Sequence, residues 1–184
     1  MLSTLDEVKS CVDLEKRRLF GNLDKKGVVW CYITRDHWID ITRYLKYLRY
    51  EMYHRNNNDF LYHRIMEIIC CRKKNKLGNR LGFYIGCQVF DEGLVIYHHG
   101  NVIVNGFARV GKNCQLHGDN CIGNDGKTLD APVIGDNVDI GVGAKIIGGI
   151  RIANNIKIAA GAVVVDSFYE EGITIGGVPA KRIR

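Results

Sequence analysis

The sequence predicts two regions, a helical one over residues 1–80 and an all-β core of parallel β-helix type over 81–184. Apolar residues recur at spacings of three and four in the first region, and at strict intervals of six in the second. A third observation limits the alternatives: with glycine at 21 and proline at 2, and no glycine in threes, the chain is not collagen-like.

A first short helix is read over Leu5 to Phe20. Ile41, Tyr44, Leu45, Leu48 and Met52 then form one stripe of an amphipathic helix, with Asp36 or Asp40 as its cap. The asparagine-rich run Arg55 to Asp59 breaks it. A further helix fits Phe60 to Lys74, with Leu61, Ile65, Ile68 and Ile69 on one side. Such stripes are core or interface, and no chemistry is assigned to them.

From about Gly82 the period is six. Val104, Val110, Leu116, Ile122, Ile134, Ile140, Ile146, Ile152, Ile158 and Val164 share one register, and all are branched aliphatics. Neither the 3.6-residue period of a helix nor the two-residue period of a strand produces this. Each hexad is one side of a triangular coil, and its aliphatic points inward onto the one a full coil away. Small or amide residues follow at Asn105, Gly111, Gly123, Gly135, Gly141, Ala153 and Ala159, where the chain turns a corner. Ala108, Cys114, Val138, Ala144, Ile150, Ile156 and Ala162 recur three positions later. The register falls once on Thr128, inside GNDGKTLDAP, and resumes in phase at Ile134. That stretch is read as a loop pushed out of the coil, where function concentrates.

The net charge of +6 is uneven. Through Arg80 there are 17 Lys/Arg and 10 Asp/Glu, and from Leu81 onward 9 and 10. The basic half is read as a solvated helical surface. No nucleic-acid motif accompanies it, so no nucleic-acid partner is expected. The seven cysteines form no double CxxC set, which fits apolar filler in a reducing, cytoplasmic setting. No signal peptide is read at the start, and no apolar run approaches the roughly 18 to 20 residues of a membrane span.

The pieces KLGNRLGF, GLVIYHHGNVIVN, IGNDGKTLDAPVIGDNVDIGVGAKIIGGI and IGGVPAKRI, all between Lys76 and the C-terminus, resemble the serine acetyltransferase family. The YLKYLRYEMYHRNN run looks like the short front end of its polysaccharide-cluster relatives. The resemblance implies a single-stranded left-handed parallel β-helix, acetyl-CoA as co-substrate and no metal. It also implies homotrimers, with pairing of trimers left open, and active sites between neighbouring β-helices.

By the same resemblance His98 is the general base that takes the acceptor's hydroxyl proton. An imidazole with an ordinary pKa of about 6.5 suits that task. His99 is expected to face elsewhere, and His117 to line the cleft or the surface. The family's partner aspartate would fall near Phe83, which cannot serve, so Asp91, Glu92 or a backbone carbonyl is left to orient His98. On the acceptor side Tyr97 replaces an aspartate, and Asp130-Ala131 replaces an Arg-His pair. Tyr97, Asp91, His117 and Asp130 are therefore the acceptor-side candidates. The missing cations disfavour an amino acid's carboxylate and shift weight to a sugar hydroxyl.

For CoA, small residues at Gly141, Gly143, Ala144, Ala159, Ala160 and Gly161 would let a pantetheine arm approach. Gly123 and Gly126 would offer N–H groups to the thioester oxygen. Lys127, Lys181, Arg182 and Arg184 would hold phosphates. The reading is an O-acetyltransferase acting on serine or, more in keeping with these departures, a sugar or polysaccharide precursor. The alternative is a non-catalytic trimeric scaffold. A zinc enzyme on the same coil is disfavoured, because His98, His99 and His117 lack a ligand spacing.

Overall fold

The computed structural model describes residues 2–21 and 23–183. The chain divides into two compact units, residues 1–81 and 82–184.

Among its described residues the first unit has four helices: α1 (Leu5–Phe20), α2 (Lys25–Thr34), α3 (His37–Asn56) and α4 (Leu61–Leu81). Thr4 and Glu7 close a capping box on α1, so the start of the helix is fixed locally. Asp36 caps α3 by accepting from the Trp38 N–H at 2.9 Å. The expected stripe of Ile41, Tyr44, Leu45, Leu48 and Met52 is buried. Two expectations are corrected. α2 was not anticipated; it is capped by Asp24 and contributes Cys31 to a small cluster with Phe20 and Ile39. The helix read over 60–74 runs on to Leu81, and its Leu61, Ile65, Ile68 and Ile69 side is exposed within the unit. Cys70, Lys74, Gly78 and Leu81 are buried instead.

Near the α3–α4 turn, Nδ1 of the buried His54 lies 2.9 Å from Nδ1 of His63. Burial and the neighbouring imidazole hold the His54 pKa below its ordinary value, against a smaller opposing effect of Glu67. The folded chain therefore binds fewer protons here than the unfolded chain as pH falls below about 6.5. Stability is present above that value and is lost as pH falls toward the lowered pKa. Thermal melts between pH 7.5 and pH 5 should show a falling Tm. His63→Gln, which removes the second imidazole, should make the fall shallower.

The second unit is built from fourteen short strands: β1 (Phe83–Tyr84), β2 (Val95–Ile96), β3 (Val102–Val104), β4 (Arg109–Val110), β5 (Gln115–Leu116), β6 (Cys121–Gly123), β7 (Val133–Ile134), β8 (Asp139–Ile140), β9 (Lys145–Ile147), β10 (Arg151–Ile152), β11 (Lys157–Ile158), β12 (Val163–Val164), β13 (Thr174–Gly177) and β14 (Ala180–Arg182). They form three faces: β1-β3-β6-β9-β12, β4-β7-β10, and β2-β5-β8-β11-β13-β14. All ladders are parallel except the closing β13–β14 hairpin. This is the parallel β-helix expected from the hexads, with the left hand that the family resemblance implied. The usual right-handed rule rests on a crossover helix packing back onto a sheet, and these coils have none.

The ten register aliphatics are all buried, and they stack as read: Leu116 on Ile140 on Ile158, and Ile122 on Ile146 on Val164. Corner glycines are required by the closeness of successive coils. A Cβ on Gly141 would lie 2.6 Å from the Ala160 nitrogen and 2.8 Å from the Ile158 oxygen. The loop through Thr128 leaves the coil after β6 and returns at β7, as expected.

Candidate active site

His98 lies on the corner between β2 and β3. The offset between stacked residues falls from 20 at Ile96–Leu116 to 18 at Val104–Ile122. This corner thus carries two more residues than the coil stacked on it. The surplus lifts His98 and His99 into exposed positions. It also explains why the hexad register begins only after the histidines. Gly118, with φ of +106°, occupies the matching corner of the next coil. A Cβ there would sit 3.4 Å from the His98 Cβ, so the glycine keeps the backbone close to the base.

His117, beside Gly118, is half-buried, and its Nε2 is 2.8 Å from Asp139 Oδ1 on the following coil. Its ring packs on Tyr97 at a centroid distance of 4.8 Å, tilted by 33°. The Tyr97 hydroxyl donates to Gln115 Oε1 at 2.8 Å. Beneath them Asn120 is 1% exposed. Its oxygen accepts from the Gly118 N–H at 3.0 Å, and its amide donates to the Gly141 carbonyl at 2.8 Å. A buried amide satisfied from both sides fixes the two coils that carry His117 and Asp139. Tyr97, His117 and Asp139 therefore form one cluster, and the adjoining Gly118 lies against His98. Asp139 was missed in the sequence, although its signal was present: it precedes Ile140, which stacks on Leu116, and so falls in register with Gln115 beside His117.

The other candidates fall elsewhere. Phe83 is buried against Val102 in the first coil. Asp91 and Glu92 follow the Phe90–Val110 bridge, on the corner one face away from His98. Glu92 pairs there with Lys112 at 2.9 Å, and Asp91 also acts on that lysine's charge. The loop with Gly126, Lys127 and Asp130 leaves from the far edge of the face that His98 precedes. Asp125 organises it by accepting from the Lys127 and Thr128 N–H groups, which hold its carboxyl below the usual range. Asp130 lies against Gly149.

On the expected CoA side, Ala144 is a correction. Its side chain is fully buried, its N–H donates to Gly141, and its carbonyl accepts from Cys121. It can only pack the core. Gly141, Gly143 and Gly161 give their N–H groups to Ile158, Gly118 and Val142 in the coil ladder. Gly143 and Gly161 leave room, whereas the space at Gly141 is filled by the next coil. Ala159 is half-buried and Ala160 exposed at the same edge. Gly123 closes β6 opposite Ile147. Lys127 and Lys181 are exposed, and Arg182 pairs with Glu170 at 2.7 Å. Arg184 lies outside the described residues. Among the described residues no cluster of His, Cys, Asp or Glu is suited to a metal ion, and no helix is long and apolar enough to cross a membrane.

A serine acetyltransferase of Synechococcus elongatus is 33% identical over 94 residues, covering 50% of this chain and 38% of the relative. Over about half of its length the chain is similar to serine acetyltransferases. A Staphylococcus aureus serine acetyltransferase is likewise 33% identical, over 109 residues, with 55% and 51% covered. The chain thus spans about half, or less, of the curated relatives it matches. A crystal structure of the Neisseria gonorrhoeae serine acetyltransferase in complex with serine has a TM-score of 0.72 and 26% identity, covering 98% of this chain and 70% of that one. The Brucella abortus serine acetyltransferase in complex with coenzyme A has a TM-score of 0.71 at 22% identity, covering 97% and 68%, and supports the fold. No family model matches.

Proposed function

We propose that the protein is an O-acetyltransferase that moves an acetyl group from acetyl-CoA onto a sugar hydroxyl, with His98 as general base. The observation that carries the reading is His98 itself: exposed on an enlarged corner, kept open by Gly118, at the place the family resemblance assigns to the base. His98 takes the hydroxyl proton as the oxygen attacks the thioester carbon. The C–O bond forms, the C–S bond breaks, and the imidazolium returns the proton to the leaving thiolate. Gly123, Gly126, Lys127, Gly143, Ala160 and Lys181 are the proposed CoA-side residues. The lysines would meet phosphates, and the small residues would leave space for the pantetheine arm.

A sugar is favoured over serine as acceptor. Tyr97 and Asp130-Ala131 stand where serine-acetylating relatives carry an aspartate and an Arg-His pair, so the groups that would hold a free amino acid are replaced. Assembly as a homotrimer is part of the same reading. Within one chain His98 and the 124–131 loop occupy opposite edges of a face, so a site using both draws on two copies. The outward column on that face includes Tyr84, Ile103 and Cys121, an apolar surface suited to a neighbour. All seven cysteines are free thiols, in keeping with a reducing, cytoplasmic setting. The test is release of free thiol from acetyl-CoA against serine, homoserine, pyranosides and nucleotide sugars. Turnover on sugars is expected. Sugar binding with no turnover on any acceptor would favour the scaffold reading.

A further inference from the structure

We propose that Asn120 is the positioning residue of the base, a buried amide that fixes the corner on which His98 rests. The inference rests on the general-base reading of His98 and names what holds that base in place. The repeat itself singles the residue out. Ala108, Cys114, Val138, Ala144, Ile156 and Ala162 share one register, and each is fully buried. Between Cys114 and Val138 the same register passes through Asn120, which is 1% exposed. A polar group taken out of water at such a place is costly unless its hydrogen bonds are made.

Those bonds shape the corner beside His98. In regular corners the register residue donates its N–H to the carbonyl three positions back, as Ala108 does to Asn105, Ala144 to Gly141 and Ala162 to Ala159. At 117–120 the side chain takes over. Asn120 Oδ1 accepts from the Gly118 N–H at 3.0 Å and Nδ2 donates to the Gly141 carbonyl at 2.8 Å, so one orientation of the amide fits both partners. The corner held in this way has two consecutive left-handed residues, Gly118 at φ +106° and Asp119 at φ +53°. Gly118 is also fixed from the next coil, its carbonyl accepting from the Gly143 N–H at 3.0 Å. The enlarged corner lies against it. A Cβ on Gly118 would meet the His98 Cβ at 3.4 Å, and the His98 and His99 carbonyl oxygens at 3.5 and 3.7 Å. That corner is pinned to the same coil at both ends, by the Tyr97 N–H on the Leu116 carbonyl and by the Ile103 N–H on the Asn120 carbonyl, each at 2.9 Å. Asn120 thus sets one end and the floor of the segment that carries His98.

The experiment compares Asn120→Val, Gly118→Ala and, as a packing control, Val138→Ala with the wild type, all in the full chain. It reads thiol release from acetyl-CoA with a sugar acceptor, the urea midpoint, and the His98 imidazole NMR signal assigned through His98→Ala. Asn120→Val supplies the kind of side chain the register uses at Val138, so the midpoint should hold. Its kcat should fall about ten- to a hundredfold, the scale on which a small misplacement of a reacting group acts. KM for acetyl-CoA should stay within about twofold, and the His98 signal should shift. Gly118→Ala, which forces a Cβ into a left-handed corner against His98, should lower kcat and move the signal too. The double variant should be no slower than the slower single one, because both act through the same corner. Val138→Ala should lose stability and keep its kcat. If Asn120→Val folds and either keeps its kcat or leaves the His98 signal unmoved, or if Val138→Ala loses as much turnover, this inference fails while the proposed function stands. If Asn120→Val does not fold, Gly118→Ala decides, and full turnover with an unmoved signal overturns the proposal. If the wild type acetylates no acceptor, the proposed function fails, and the His98 signal in Asn120→Val still decides this inference.

Discussion

Replacing His98 by alanine should slow acetyl transfer by about 10²- to 10⁴-fold, the usual contribution of a positioned general base. CoA affinity should change little, because the proposed phosphate and pantetheine contacts lie on other coils and in the loop. A neutral imidazole is required to accept the hydroxyl proton, so wild-type turnover should fall under acidic conditions. The comparison that decides the assignment is His98→Ala beside His99→Ala and His117→Ala, each measured for turnover, sugar KM and CoA binding. His99→Ala should keep most of its turnover. His117→Ala should lower turnover less than His98→Ala does. If His98→Ala retains turnover and His117→Ala abolishes it, the base is the Asp139-oriented histidine. If all three retain turnover, general-base transfer by histidine is wrong.

The β-helix was legible because its core repeats. Ten aliphatics at intervals of six leave one arrangement that buries them all, and Thr128 marked the loop by interrupting the count. The cluster around His98 was only half legible. The histidine could be named from GLVIYHHG, but the two surplus residues of its corner have no periodic signature, and these set its exposure. Asp139 became visible only once Leu116 was stacked on Ile140, since the 24-residue offset includes the loop. Ala144 failed as a cofactor contact because its place in the hexad points inward, which overrides its small size. The helical region was less legible. α2 has almost no apolar periodicity, and Leu61, Ile65 and Ile68 form a regular stripe that this unit leaves exposed.

The largest stability effect should come from a residue that the apolar stripes conceal. In α1 Val8, Cys11, Glu15 and Leu19 follow spacings of three and four, and all four are buried. In α3 Arg49 lies beside Leu45, Leu48 and Met52, and it too is buried. The carboxylate and the guanidinium meet across the two helices, with Arg49 Nε 3.0 Å from Glu15 Oε1 and both side chains 1% exposed. Such a pair returns little net stability, because desolvating two ions offsets most of their attraction. Breaking it from one side is a different matter, since a charge then stays in the core without its counterion. Arg49→Leu should therefore cost about 3–5 kcal/mol, read as a lower denaturant midpoint in helical circular dichroism of the full chain. Glu15→Leu combined with Arg49→Leu should recover most of that loss, because both charges leave and the shared space stays apolar. Strong coupling between the two sites is the expected signature. If Arg49→Leu alone leaves the midpoint unchanged, or if the double variant falls by the sum of the single ones, the pair does not tie α1 to α3 in this way.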